Sequence, residues 1–184
     1  SPDTARGGNF FGIAGMVIAV VTTLAAPEVV SYWLIILGIL IGGAIGAYIA
    51  LRIQMTALPQ LVAAFHSLVG LAAVCVATAA FAAPEAYGIG IRGAIHGASL
   101  VEMALGLTIG AITFTGSVVA FAKLQGLVSG APLVFTGQHL LNAALGILLI
   151  LLIVLFVMTE SGSVFFLLVL LSLAFGFLLI VPIG

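Results

Sequence analysis

Six uninterrupted apolar runs divide this chain. They cover 10–26, 29–51, 58–83, 98–121, 139–158 and 163–183. A helix needs about 20 mostly apolar residues to cross the hydrocarbon core of a bilayer, and the runs are of that order, the first being the shortest. Turn formers and charges separate them: Pro27 and Glu28, then 52–56, 84–92, 123–137 and 159–162. A closed β-barrel is the other fold that satisfies every backbone group in lipid. It would read as alternating segments of about ten residues, whereas these runs are longer and apolar on every side. The expected fold is all-α: a polytopic transmembrane helical bundle with six spans over 10–184, preceded by a loop at 1–9 on the inner side.

Composition narrows the classes of function. The 184 residues are 64% hydrophobic and only 5% charged. Soluble domains are about 25% charged, so this chain lacks the side chains to cover a water-facing surface. Four Lys and Arg against five Asp and Glu cannot build the basic patch that a nucleic-acid partner requires. The few charges mark orientation instead. If the sides alternate, Arg6, Arg52 and Lys123 fall on one side. Arg92 falls on the other, beside Glu28, Glu85 and Glu160. An excess of basic residues marks the cytoplasmic or matrix side, so both ends of the sequence are expected inside. The single cysteine, Cys75, lies within an apolar run and reads as a small packing residue.

Polar residues within a span are costly in lipid, which makes them candidates for function. In the third span His66 lies about 10 Å from the inner end. Imidazole is the side chain best suited to load and release protons near neutrality. In the fourth span Glu102, Gly106, Gly110, Thr113 and Ser117 follow one another at steps of four, four, three and four. That spacing draws one stripe along one helix face. Ser117 is six residues before Lys123, hence about 9 Å from the same surface. His66 and Ser117, on consecutive antiparallel helices, are therefore expected at nearly equal depth. Glu102 stands about 22 Å further out. Asn142, near the inner end of the fifth span, adds a possible polar support. These residues outline a path from Glu102 toward His66. Each also has a purely structural reading: His66 bonded to a neighbouring carbonyl, Thr113 and Ser117 bonded to the preceding turn, Glu102 reaching the interface.

Two ridges of small residues suit close helix packing: Gly38, Gly42 and Gly46 in the second span, and Gly106 and Gly110 in the fourth. The sixth span has no charge and one interior hydroxyl, Ser172, so it is expected to face lipid over much of its surface. The run from Gly88 to Gly93 has G-x-G-x-x-G spacing. That pattern binds dinucleotides only between a strand and a helix, and here it separates two spans. No P-loop, metal-ligand cluster or nucleophile–base arrangement occurs. The chain is thus expected to hold no catalytic, cofactor or metal site of its own.

The segment Arg52-Ile-Gln-Met-Thr-Ala-Leu-Pro-Gln-Leu-Val-Ala-Ala-Phe-His66-Ser-Leu-Val-Gly-Leu-Ala-Ala resembles the histidine-bearing helix of the β subunit of the proton-translocating NAD(P) transhydrogenases. Gly110-Ala-Ile-Thr-Phe-Thr-Gly-Ser117-Val-Val-Ala-Phe-Ala-Lys-Leu-Gln-Gly looks like the next helix of that family, and Gln138-His-Leu-Leu-Asn142 like the start of the one after. The likeness runs in order over most of the chain.

The resemblance implies a role and a set of partners. Such enzymes couple hydride transfer between NAD(H) and NADP(H) to proton passage through the membrane. It implies that NAD(H) is held by a soluble domain on the α side, and NADP(H) by a soluble domain that follows the β membrane helices. Neither cofactor would be bound by this chain. It implies that His66 and Ser117 are proton-path residues, with Glu102 at an acidic position on the same helix as Ser117. A further path residue, an asparagine distinct from Asn142, would follow a GADMP segment beyond Gly184. One helix before residue 1 and two after residue 184 would complete the membrane part. Expected partners are the α-side membrane helices, the two nucleotide domains, the lipid bilayer and a second protomer. The expected location is the bacterial inner membrane, or less favourably the mitochondrial inner membrane. The alternatives are a proton- or ion-coupled secondary transporter or a structural membrane subunit. A transporter would show an inverted repeat, and the first and last three spans show no convincing one.

Overall fold

A computed structural model describes residues 2–27, 29 and 31–183. Among these residues, six helices are long and apolar enough to cross a membrane, so the protein is an all-α membrane protein. The chain divides into two compact units, Ser1–Ile53 and Gln54–Gly184.

The first unit holds α1 (Pro2–Leu24) and α2 (Trp33–Arg52). The loop expected at 1–9 is not a loop over its described residues. Helix α1 already begins at Pro2, a residue type that fits a first helical turn. Apolarity marks where lipid begins, and the helix extends past it through Thr4, Ala5 and Arg6. Glu28 lies outside the described residues. Helix α2 starts at Trp33, later than position 29, while the Tyr32 hydroxyl donates to the Leu24 carbonyl at 3.1 Å. Within this unit a methyl placed on Gly38, Gly42 or Gly46 would meet no atom within 4 Å.

The second unit carries the packed core. A 3-10 turn at Met55–Ala57 leads into α3 (Leu58–Ala82). Then come a second 3-10 turn (Pro84–Tyr87), a hairpin of β1 (Gly90–Ile91) and β2 (Ala94–Ile95), and the helices α4 (Gly97–Leu124), α5 (Gln138–Thr159) and α6 (Gly162–Ile180). Helix α6 ends at Ile180, three residues before the expected limit of 183. The hairpin begins within the loop-forming positions 84–92 and runs on to Ile95, which the sequence reading did not foresee. It pairs Gly90 with Ile95 and Ile91 with Ala94. The G-x-G-x-x-G spacing belongs to this turn: Gly88, Gly90 and Gly93 all have positive φ, of 63°, 125° and 82°. Glycine is the residue that tolerates such angles. The three glycines therefore shape a surface hairpin, and a phosphate-binding turn does not form here.

Helix α4 is the centre of the second unit. Leu107, Ala104 and Ala111 on it are fully buried, as are Phe156 of α5 and Leu168 of α6. Toward the hairpin end, Phe81 of α3 stacks on Phe165 with centroids 4.6 Å apart, and Phe156 closes the cluster at 5.5 Å from each ring. Helix α6 leaves much of its surface open, as expected, and buries one row against α4. Phe165, Leu168, Ser172 and Gly176 form a buried row along it, because small residues at 172 and 176 let it lie against α4. Cys75 is exposed rather than packed.

At the opposite end Lys123 ties α4 to α6. Its Nζ donates to the carbonyls of Val181 at 2.7 Å, Ile180 at 3.3 Å and Ile183. These carbonyls lie at and just past the C-terminal end of α6, where a cation suits that end of the helix dipole. Lys123→Met keeps the stem and removes the donors. It is expected to lower the unfolding free energy by about 1–2 kcal/mol, read as a lower thermal midpoint of the complete protein.

Candidate functional site

The register of α3 against α4 can be read from two places. Near the Lys123 end, the Gln60 side-chain amide donates to the Leu124 carbonyl at 3.0 Å, and Gln125 donates to Gln60 Oε1 at 3.2 Å. Midway, a methyl on Gly70 would stand 2.6 Å from the Gly110 carbonyl oxygen and 2.6 Å from the Phe114 nitrogen. A methyl on Gly110 would stand 2.8 Å from the Gly70 oxygen and 2.8 Å from the Ala73 Cβ. The two backbones therefore touch. The small residues Gly70 and Ala73, on the face of α3 that carries His66, suit packing against another helix, as the contact bears out, whereas nothing in the sequence marks the Gln60–Gln125 pair.

This register sets the depth of the polar residues. Six residues on from Gln60 is His66, and seven back from Leu124 is Ser117. With equal rise on both helices the two lie within about 2 Å of the same depth. Direction follows from the same anchors. At about 100° per residue, His66 is about 40° round α3 from Gly70, and Ser117 about 20° round α4 from Gly110. The helices run antiparallel, and both offsets turn toward one side of the seam. Thr113, Gly106 and Glu102 lie about 60°, 40° and 80° round α4 in that same sense. His66 and Glu102 are exposed within this unit, and Gly106, Thr113 and Ser117 are half-buried. The α5 and α6 helices pack on other faces of α4.

One open edge of the α3–α4 seam thus carries His66, Glu102, Thr113 and Ser117. Among the described residues, no hydrogen bond links these four side chains. Each is free to engage water or a further helix laid along that edge. An exposed imidazole and carboxylate at membrane depth are expensive in hydrocarbon, which argues against lipid as the final neighbour. Gly110 stands in the seam, whereas a methyl on Gly106 would meet no atom within 4 Å. Asn142 is not brought to this edge. It lies one turn from Gly146, whose added methyl would face Phe175 of α6 at 3.9 Å. Its buried Oδ1 has no partner among the described residues.

The sequence reading used Glu160 only as a mark of orientation. It ends α5 with φ at 47°, and its Oε1 accepts from the backbone N–H of Ile95 at 3.1 Å. This bond fastens the hairpin just ahead of α4. A non-glycine residue at positive φ is the structural signal, and nothing in the sequence marks it.

Comparison with known proteins identifies the family. All of 1–184 matches the family described as NAD(P) transhydrogenase beta subunit. The NAD(P) transhydrogenase subunit beta of Rhodospirillum rubrum is 62% identical over 184 residues, 100% of this chain and 40% of the relative. The protein of the same name from a designated strain of that organism matches to the same extent. The chain therefore spans well under half the length of these relatives. Neither a secondary transporter nor a structural subunit is favoured by these matches. A match over the whole chain, with 62% identity to a relative along all of it, means that the protein belongs to the NAD(P) transhydrogenase beta subunit family.

Proposed function

We propose that this chain forms the proton-conducting membrane part of an NAD(P) transhydrogenase. The observation that carries the reading is the placement of His66 and Ser117 at one depth, on one edge of a glycine seam. In this reading protons pass along the edge from Glu102 through Thr113 to Ser117 and His66. His66 takes a proton from water on one side and yields it on the other, and its charge biases contacts at the Lys123 end. That end is read as cytoplasmic from its basic residues, and the membrane as the bacterial inner membrane.

Hydride transfer between NAD(H) and NADP(H) takes place in soluble domains outside this chain. The glycine-rich hairpin at 88–93 does not fit a dinucleotide, so no step of that chemistry is routed through these residues. The partners are the α-side membrane helices with their NAD(H) domain, the NADP(H) domain of the β subunit, and a second protomer. Coupling of this kind is reciprocal: if protonation alters nucleotide affinity, nucleotide must alter proton affinity by the same factor.

The test uses the complete protein in sealed vesicles. Transhydrogenation is expected to move protons across the membrane, and the rate is expected to respond to an imposed proton gradient. Hydride transfer with no proton movement in tight vesicles would overturn the reading. Within that assay Ser117→Ala is expected to slow coupled turnover only about two- to fivefold, because water can replace a hydroxyl at little free-energy cost. A complete loss would assign Ser117 a larger part than relay.

A further inference from the structure

Several hydroxyls inside this fold are satisfied by their own helix. Thr22, Thr23, Thr78, Thr115 and Thr159 each donate to the carbonyl four residues earlier, at 2.7–3.1 Å. Buried Ser67 donates to the Ala64 carbonyl at 2.7 Å. This is the ordinary way for such residues to be satisfied in a helix. Thr108 and Ser172 differ. Their relative exposures are 8% and 0%, and neither hydroxyl has a hydrogen-bond partner among the described residues.

The α4–α6 contact brings these two residues to the same seam, one turn back on each helix. A methyl on Gly176 would stand 2.5 Å from the Ile112 carbonyl oxygen and would also meet the Thr115 hydroxyl. A methyl on Gly116 would stand 3.1 Å from Ile180 Cγ1. Helices α4 and α6 run in the same direction here, since each leads toward the end where Lys123 meets Val181. One turn back from Ile112 is Thr108, and one turn back from Gly176 is Ser172. Equal steps along parallel helices keep them level. Both also stay on the facing rows: Thr108 lies with Ile112 and Thr115, and Ser172 lies with Phe165 and Gly176.

A hydroxyl sealed in an apolar interior without a partner costs about 1–3 kcal/mol on the protein mutational scale. Two such groups at one helix seam define a polar site. We propose that Thr108 and Ser172 together hold one buried water molecule between α4 and α6, near the middle of the membrane. Each hydroxyl can donate to or accept from that water, and adjoining backbone carbonyls can take its remaining bonds. Buried waters in proteins typically make about three hydrogen bonds. The site lies about 140° round α4 from the edge that carries Thr113. It serves as a fixed lock on the face of α4 turned away from that edge, and it does not rest on the proton-path reading.

The test compares thermal midpoints of the complete enzyme carrying Thr108→Val, Ser172→Ala and both. Each single change is expected to lower the midpoint by about 2 °C. The double change is expected to lower it no further than either single change, because the water leaves with its first partner. Thr108→Ser, which keeps the hydroxyl, is expected to retain the midpoint more closely than Thr108→Val. Losses that add, or single changes without loss, overturn the proposal. A density map of the unsubstituted enzyme, at a resolution that shows water, decides the matter even if a variant fails to fold. Density between the two hydroxyls supports the site. A map with each hydroxyl donating to its own helix, at Ala104 and Leu168, overturns it.

Discussion

His66→Ala in the complete enzyme is expected to lower proton-coupled turnover by about 100-fold or more, the scale on which a positioned proton-transfer group contributes. Binding of NAD(H) is expected to be unchanged, since the proposed function places that site in another domain. The control is Leu68→Ala. Leu68 is also exposed, at 59%, and stands at almost the same depth. It lies about 160° round α3 from Gly70, away from the polar edge. Leu68→Ala is expected to leave pumping near its normal rate. The measurement is proton uptake by sealed vesicles during transhydrogenation, scaled to nucleotide binding by the same preparation. Full coupled turnover in the His66 variant would remove His66 from the path. Equal losses at His66 and Leu68 would mean that α3 is sensitive everywhere, and the imidazole would have no special role.

The second large effect concerns the glycine seam. A methyl on Gly70 would lie 2.6 Å from two backbone atoms of α4. Backbone cannot swing aside as a flexible side chain can, so the helices must separate. Gly70→Ala is expected to destabilise by about 1–3 kcal/mol, as overpacking does. Gly70→Leu is expected to exceed that range and to prevent recovery of folded enzyme from membranes. Gly146→Ala is the comparison. Its methyl would stand 3.9 Å from Phe175, an ordinary contact distance, so stability is expected to hold within about 0.5 kcal/mol. Thermal unfolding and yield after detergent extraction separate the two cases. If Gly70→Ala were as stable as the unsubstituted protein, the close approach of α3 and α4 would be wrong. The placement of His66 and Ser117 on one side of the seam would then lose its reference point.

Much of this arrangement was legible in the chain. Length and apolarity located six helices, because lipid leaves few other ways to satisfy a backbone. Spacing placed Glu102, Gly106, Gly110, Thr113 and Ser117 on one stripe, because helical periodicity is fixed. What failed was partner choice. Gly106 and Gly110 are one turn apart and chemically identical, yet only Gly110 meets α3. Helix α6 is apolar all round, so no contrast in its sequence says which face packs. Ser172 and Gly176 mark the buried row only once α4 is seen beside them. Helix α1 began earlier than expected because hydrogen bonding can carry a helix beyond its apolar segment. The hairpin escaped notice because two residues per strand carry no alternation to read. Asn142 was grouped with the path on depth alone, and depth does not set direction around a helix axis.

The one-sided edge of α3 and α4 also has a consequence for biosynthesis. Those two helices can close on each other as soon as both are inserted, because their contact is between backbones and needs no third party. The seam so formed leaves an imidazole and a carboxylate facing outward. Whatever covers them must come from outside these four helices and must arrive before degradation or misassembly does. The order in which helices reach this edge thus becomes a requirement on the folding pathway. A newly made chain halted at this stage would be the species that quality control recognises, and rapid insertion of the covering segments would be what rescues it.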